Sequence, residues 1–330
     1  MKIALDAMGS DNAPSVELEG MLLALEENSN LSVVVVGQEE LLRGANARFS
    51  DRIEFLSTPD VVTMHELPVD ALRNKRNSSI SKAIELLKDN KVDGVVSAGN
   101  TGAVMAFALS ILESIPGVHR PTLATFFPTI KGTSLVLDVG ANVDTKPIHL
   151  LQFAIMGSTV ASHILKKANP KIGLLNIGKE SQKGNELTQS TYKLLETSGL
   201  NFLGNLEAND LFKGSADVIV CDGFVGNVIL KFGEGVFEVI SDTLWEYLHS
   251  ETKYRMRRWL SKPVLTEFIS RMDYEEQGGG MLLGIPGTII CAHGRSSPRA
   301  IKNAINTAMF YAQEQIAFHI QEKFAQLSKV

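Results

Sequence analysis

Short runs of uninterrupted apolar, mostly β-branched residues alternate with longer amphipathic stretches along the whole chain. This alternation limits the fold more than any other feature. Val33-Val34-Val35-Val36 and Val218-Ile219-Val220-Cys221 have no polar face. A strand without a polar face must be covered on both sides, which calls for a mostly parallel sheet between two layers of helices. The runs predict strands over residues 2–7, 31–36, 53–56, 93–97, 123–127, 134–139, 171–176, 201–204, 216–221 and 288–292. The expectation is a three-layer α/β architecture, one catalytic unit over residues 1–330 with room for two subdomains that share a cleft.

Composition narrows the function. With 330 residues, 44% of them hydrophobic and 21% charged, the chain buries a large core and is neither disordered nor fibrous. A net charge of −5 argues against nucleic acid as the main partner, because a polyphosphate surface calls for a basic footprint. The two cysteines, Cys221 and Cys291, are far apart and lack metal-ligand spacing, which excludes a disulfide framework and gives no structural metal site. Asp6 falls where a signal peptide needs its apolar stretch, and no apolar run approaches the ~18 residues of a membrane span, so a cytoplasmic protein is expected.

In parallel sheets, ligands meet the loops beyond the carboxyl ends of the strands. Five such ends are rich in Gly, Asn, Asp and Ser: residues 6–11, 97–102, 138–142, 176–179 and 222–227. One of these loops alone is a tight turn; five, expected on one side of the sheet, point to a shared polar cleft. Ser97-Ala-Gly-Asn-Thr-Gly102 leads into a helical run, and a helix N-terminus attracts an anion such as phosphate. Lys179 and Lys183 add ammonium groups to a second loop ahead of a helix. Common motifs fail. Gly173 to Lys179 has P-loop spacing, but Glu180 stands where Ser or Thr must hold magnesium, and the intervening residues form a strand. There is no Gly-x-Gly-x-x-Gly after a strand and no Gly-x-Ser-x-Gly elbow, while Cys221 reads as a small buried strand residue. His293, in Cys291-Ala-His-Gly294, is the one histidine placed like a cleft residue.

Two further segments stand out. Residues 253–272 carry six basic residues against one acid, with Leu265, Phe268, Ile269 and Met272 on one helical face and Pro263 between two short helices. A basic helical hairpin is expected over 250–275. Residues 298–325 read as one long helix, with a stripe from Ile301 and Ile305 to Ile320 and Phe324 for the core or a subunit interface.

Taken together, Asp6-Ala-Met-Gly9, Arg73 to Ser79, Ser97 to Ala103, Leu137 to Asp144, Gly173 to Gly178 with Lys183-Gly184, and Val220 to Asn227 resemble the bacterial phosphate acyltransferases of the PlsX type. The likeness runs from residue 3 to about 309, in the family's order. It departs at Ser10, where the family has a second glycine, and at Gly280-Met281, which replaces Ala-Pro; both bear on local backbone shape. The resemblance implies an isocitrate/isopropylmalate-dehydrogenase-like fold, a homodimer, and transfer of a long acyl chain from acyl carrier protein to inorganic phosphate. The acyl phosphate would then feed a downstream glycerol-3-phosphate acyltransferase in phospholipid synthesis.

Such chemistry asks for no metal, cofactor or covalent nucleophile: phosphate already presents anionic oxygens, and a thiol of pKa about 8.5 leaves readily. What it needs is aimed N–H donors and a cation. The expected sites are Asn100, Thr101, Gly102 and Asn142 as a phosphate cradle, Lys183 between phosphate and thioester, and Asn227 at the oxyanion. Lysine and asparagine at the positions of Lys183 and Asn227 are those the resemblance associates with activity. Asp6, Asp222 and His293 complete the candidate cleft.

The family's peripheral membrane association puts Arg257, Trp259, Leu265 and Phe268 against an anionic membrane surface, with the acidic face of acyl carrier protein as the other partner considered. A phosphotransacetylase acting on short-chain acyl-CoA, a non-catalytic scaffold at the membrane, and a decarboxylating dehydrogenase are the alternatives. The polar loops argue against the scaffold, and the missing aspartate cluster and nucleotide motif against the dehydrogenase.

Overall fold

The computed structural model describes residues 1–38, 49–249 and 278–327. Among them, eleven strands form one sheet: β1 (Lys2–Asp6), β2 (Ser32–Gly37), β3 (Ile53–Ser57), β4 (Gly94–Ser97), β5 (Thr122–Thr129), β6 (Gly132–Leu137), β7 (Ile172–Leu175), β8 (Phe202–Leu206), β9 (Val218–Val220), β10 (Gly280–Leu283) and β11 (Ile289–Cys291). Their order is β3-β2-β1-β4-β11-β10-β5-β6-β9-β7-β8. The connecting helices are α1 (Ser15–Glu27), α2 (Pro68–Asn74), α3 (Ser79–Lys88), α4 (Thr101–Leu112), α5 (Pro147–Ile164), α6 (Glu186–Glu196), α7 (Gly223–His249), α8 (Pro298–Gln313) and α9 (Ile316–Leu327).

The apolar strands are covered on both faces, as their lack of a polar side requires. Ile3, Leu5, Val33 and Val35 point into one core, where Met21 of α1, Phe153 of α5, Ile301 of α8 and Ile320 of α9 meet them. Ala4, Val34 and Val36 point into the other, with Ile84 of α3 and Phe107 of α4. This division follows from the two-residue period of a strand. All ten expected strands are present.

Three differences carry physical reasons. β10, which no run predicted, is four residues long and begins in a glycine run, so it lacks a β-branched signature. It fills the middle of the sheet, antiparallel to both β11 and β5. The expected single C-terminal helix is two, because Gln315 takes a left-handed φ of 50° between α8 and α9.

The third difference concerns the sheet as a whole. Antiparallel pairings at β11/β10, β10/β5 and β5/β6 reverse the direction three times, so β6, β9 and β7 run opposite to β1, β4 and β11. The five polar loops therefore do not follow strands of one direction. Loops 6–11 and 97–102 follow strands that run one way; loops 138–142, 176–179 and 222–227 follow strands that run the other. The hairpin expected over 250–275, with Arg257, Trp259, Leu265 and Phe268, lies outside the described residues.

Candidate functional site

β4 passes into α4 through Ser97 to Asn100. Gly9 and Gly99 let the two turns touch, since a Cβ on Gly9 would sit 2.5 Å from the Gly99 nitrogen. Asp6 is buried; its Oδ2 accepts the Ser97 hydroxyl at 2.7 Å and its Oδ1 the Met8 amide at 3.2 Å. Burial pushes its carboxyl pKa up, while the hydroxyls of Ser79 and Ser97 and the Met8 amide pull it back. Asn100 caps α4, its Oδ1 accepting the Ala103 amide at 3.1 Å. Its Nδ2 donates to the carbonyls of Met64 and Glu66, at 3.1 and 2.9 Å, and so ties down the segment at the cleft's rim. Gly102 lies under Pro68, where a Cβ would come within 2.8 Å of the ring.

Asp138 organises the loop after β6. Its Oδ1 accepts amides of Leu123, Gly140 and Ala141 at 3.2, 3.1 and 2.9 Å. Its Oδ2 accepts the Asn142 amide at 2.8 Å and the Asn142 carboxamide at 2.7 Å. Burial pushes this carboxyl pKa up, against the pull of the donated hydrogen bonds. The Asn142 Nδ2 also donates to the Pro121 carbonyl at 2.7 Å, so its NH₂ group is committed to building the loop. Asp222 accepts the Val225 amide at 2.9 Å and caps α7. The Gly223 amide donates to the Asn142 carbonyl at 2.8 Å, which presses the first turn of α7 onto the loop. Asn227 is thereby set against Gly140, whose φ is +136° and whose missing Cβ would lie 3.5 Å from the carboxamide.

Between the start of α4 and the flank of α7 lies a cavity of ≈ 290 Å³. It crosses the sheet face over β5 and β10 and is lined by Gly99, Thr101, Gly140, Asn227, Lys231 and His293, among others. Loops that follow strands of opposite direction reach one cleft because the pairing is staggered: Val96, Ile290, Met281, Ala124 and Leu137 form one cross-strand row, so β4 and β6 end at the same level of the sheet. The site thus joins Thr101, Asn227 and His293. Asp6, Asn100, Gly102, Asn142 and Asp222 stand behind the lining, as parts of the turns that shape it. Lys183 is exposed and does not line the cavity. It sits on the loop after β7, with its carbonyl accepting from Asn176 at 3.1 Å.

Two cleft residues escaped the sequence reading. Lys231 donates to Glu234 at 2.9 Å and its Nζ lies against the His293 Nε2, which in turn faces the Glu234 Oε1 at 3.4 Å. Burial raises the Glu234 carboxyl pKa, but the bonds from His293 and Lys231 more than offset this and hold it below the usual glutamate range. Their signal was present: 227, 231 and 234 are spaced by four and three residues, which is one helical face.

A cleft joining a helix N-terminus, a side-chain amide and an ammonium suits an anionic substrate beside a carbonyl whose oxygen develops charge. Comparison with known proteins agrees. The family model described as "Fatty acid synthesis protein" matches residues 1–319. The phosphate acyltransferase of Dictyoglomus turgidum is 50% identical over 313 residues, covering 93% of either chain. That of Geotalea daltonii is 45% identical over 326 residues, covering 98% of this chain and 94% of its own.

Among solved structures, the EutD phosphotransacetylase from Staphylococcus aureus aligns over 95% of this chain and 94% of its own, with a TM-score of 0.59 at 18% identity. A branched-chain phosphotransacylase from Enterococcus faecalis aligns over 96% and 99%, with 0.58 at 14%. These two share the fold; the sequence relatives, matched over nearly their whole length, place the chain among acyltransferases. It belongs to the phosphate acyltransferase family.

Proposed function

We propose that this enzyme moves a long fatty acyl group from acyl carrier protein to inorganic phosphate, giving the acyl phosphate that a glycerol-3-phosphate acyltransferase consumes in phospholipid synthesis. The observation that carries the reading is the cleft that joins the N-terminus of α4 at Thr101, the Asn227 carboxamide and the Lys231 ammonium. A phosphate oxygen attacks the thioester carbonyl carbon, forming a C–O bond and a tetrahedral oxyanion. Collapse breaks the C–S bond, and the proton of hydrogen phosphate ends on the departing sulfur. The reaction conserves charge and draws on no other reagent. Thr101, as the first residue of α4, has an amide without an intrahelical partner, which suits phosphate. Asn227 serves as oxyanion donor. Lys183, exposed on the loop after β7, serves the incoming thioester.

The test is to incubate the protein with palmitoyl-acyl carrier protein and phosphate and to trap acyl phosphate with hydroxylamine. Phosphate-dependent hydroxamate is expected. Asn227→Ala and Lys183→Ala should each lower turnover roughly 10²-fold with little change in melting temperature; wild-type turnover in either removes that residue's role. The fold shared with phosphotransacetylases favours one second reading, an acyl-CoA donor of short chain. Product with acetyl-CoA and none with the carrier protein would select it.

The reading extends to a homodimer and to peripheral contact with an anionic membrane. Exposed apolar residues along α7, among them Phe224, Val228, Phe232, Val236 and Val239, support pairing with a second copy. No described helix is long and apolar enough to cross a membrane. The sequence of 253–272, basic with aromatic and aliphatic anchors, supports surface binding. Unchanged sedimentation of a Trp259→Glu, Leu265→Glu variant with anionic vesicles would remove that part.

A further inference from the structure

We infer that Lys231 is the ammonium group that holds the phosphate nucleophile in the cleft, and that Glu234 is the positioning residue that keeps it there. The inference rests on the acyl-transfer reading above and deepens it. Of the described residues lining the cavity, Lys231 is the one lysine or arginine. An ammonium has three N–H donors. One goes to Glu234 at 2.9 Å and the His293 Nε2 sits against the same ammonium, so these two partners account for at most two donors and leave one for a ligand.

Depth separates the roles. The Glu234 side chain is 11% exposed and that of Lys231 43%, so the carboxylate stands behind the ammonium and the ammonium faces the cleft. Glu234 remains ionised at neutral pH because the bonds from His293 and Lys231 outweigh the cost of its burial. A partly buried carboxylate repels phosphate unless a cation screens it, and Lys231 is that screen. His293 reaches the pair from the loop after β11, while Lys231 and Glu234 belong to α7. The three groups therefore span the cleft and hold the ammonium at one point of it. Lys183 is exposed on a loop that contributes nothing to the lining, so it leaves this role open.

The experiment measures steady-state kinetics with phosphate and acyl-carrier-protein varied in turn, alongside the rise in melting temperature that phosphate alone produces. Lys231→Ala should raise KM for phosphate roughly 10- to 100-fold, the usual loss for one charged hydrogen bond, and leave KM for the acyl donor within about twofold. Lys231→Arg keeps the charge and should recover about tenfold of that loss, which a merely structural role would not predict. Glu234→Gln should lower kcat about tenfold without raising KM for phosphate, because the ammonium is then freer to bind but poorly placed.

A KM for phosphate within about twofold of wild type in Lys231→Ala overturns the assignment. If the wild type makes no acyl phosphate, the reaction reading fails on its own, and the thermal measurement decides: stabilisation by phosphate that Lys231→Ala loses supports the site, and equal stabilisation in both overturns it.

Discussion

At position 226 the chain has room for a hydrogen atom and nothing more. A Cβ there would fall onto the Asp138 carbonyl oxygen and within 3.0 Å of the Cys221 sulfur. Backbone cannot yield as a flexible side chain does, so Gly226→Ala should cost about 3 kcal/mol or more, read as a lower midpoint in urea. Neighbouring Asn227 should lose its place against Gly140 and turnover should fall with stability, unlike in Asn227→Ala. Residue type alone did not distinguish these positions. Asn142 and Asn227 are both asparagines in glycine-rich loops, yet one spends its NH₂ group on Asp138 and Pro121 while the other faces the cleft. Hydrogen-bond partners 4 and 21 residues away decide which is which.

Among the elements, the short 3-10 helix Ala208–Lys213 ties down the loop that carries Lys183. Asp210 accepts from Lys213 at 2.9 Å within the helix and pairs with Lys179 of the loop at 3.1 Å. The bond from Lys213 holds the Asp210 carboxyl below its ordinary value of 3.8, ahead of an opposing contribution from burial and further help from Lys179. A carboxyl depressed by folding stabilises the fold above its unfolded pKa, and that stability is lost as pH falls through the folded one. Asp210→Asn should therefore be less stable than wild type at pH 7, with the gap closing below about pH 3.8. Thermal unfolding at several pH values checks it, and a gap that persists in acid would assign the loss to packing. Elements with a strong period were legible: the valine runs became strands and the apolar stripe of α8 became core. β10 and the break at Gln315 were not, because four residues carry no period and a left-handed φ at glutamine leaves no mark in composition.

For the whole molecule, the three reversals in the sheet determine where the candidate cleft lies. They turn β4 and β6 towards each other's level from opposite directions, and the stagger that pairs Val96 with Leu137 through β11, β10 and β5 brings both loops to the cleft between α4 and α7. The second face of α7 has a separate consequence. Phe232 is 72% exposed and Val239 66%, on the side of the helix away from Asn227, Lys231 and Glu234. Pairing through this stripe predicts that Phe232→Glu with Val239→Glu shifts the protein from dimer to monomer in sedimentation equilibrium, because two buried carboxylates without partners oppose association strongly. A dimer of unchanged affinity would place the interface elsewhere.

The alternation of apolar runs and amphipathic stretches determined the layers by itself, since a strand without a polar face has to be covered twice. The motifs in their order were enough to identify the family, and three of the five glycine-rich strand ends, at 97–102, 138–142 and 222–227, line the candidate cleft. Which side chains of those segments meet was decided only in three dimensions. Strand direction beyond β11 depends on β10 pairing with β5, far from it in sequence, and the helical face that presents Lys231 and Glu234 becomes a candidate site only when His293 closes against it.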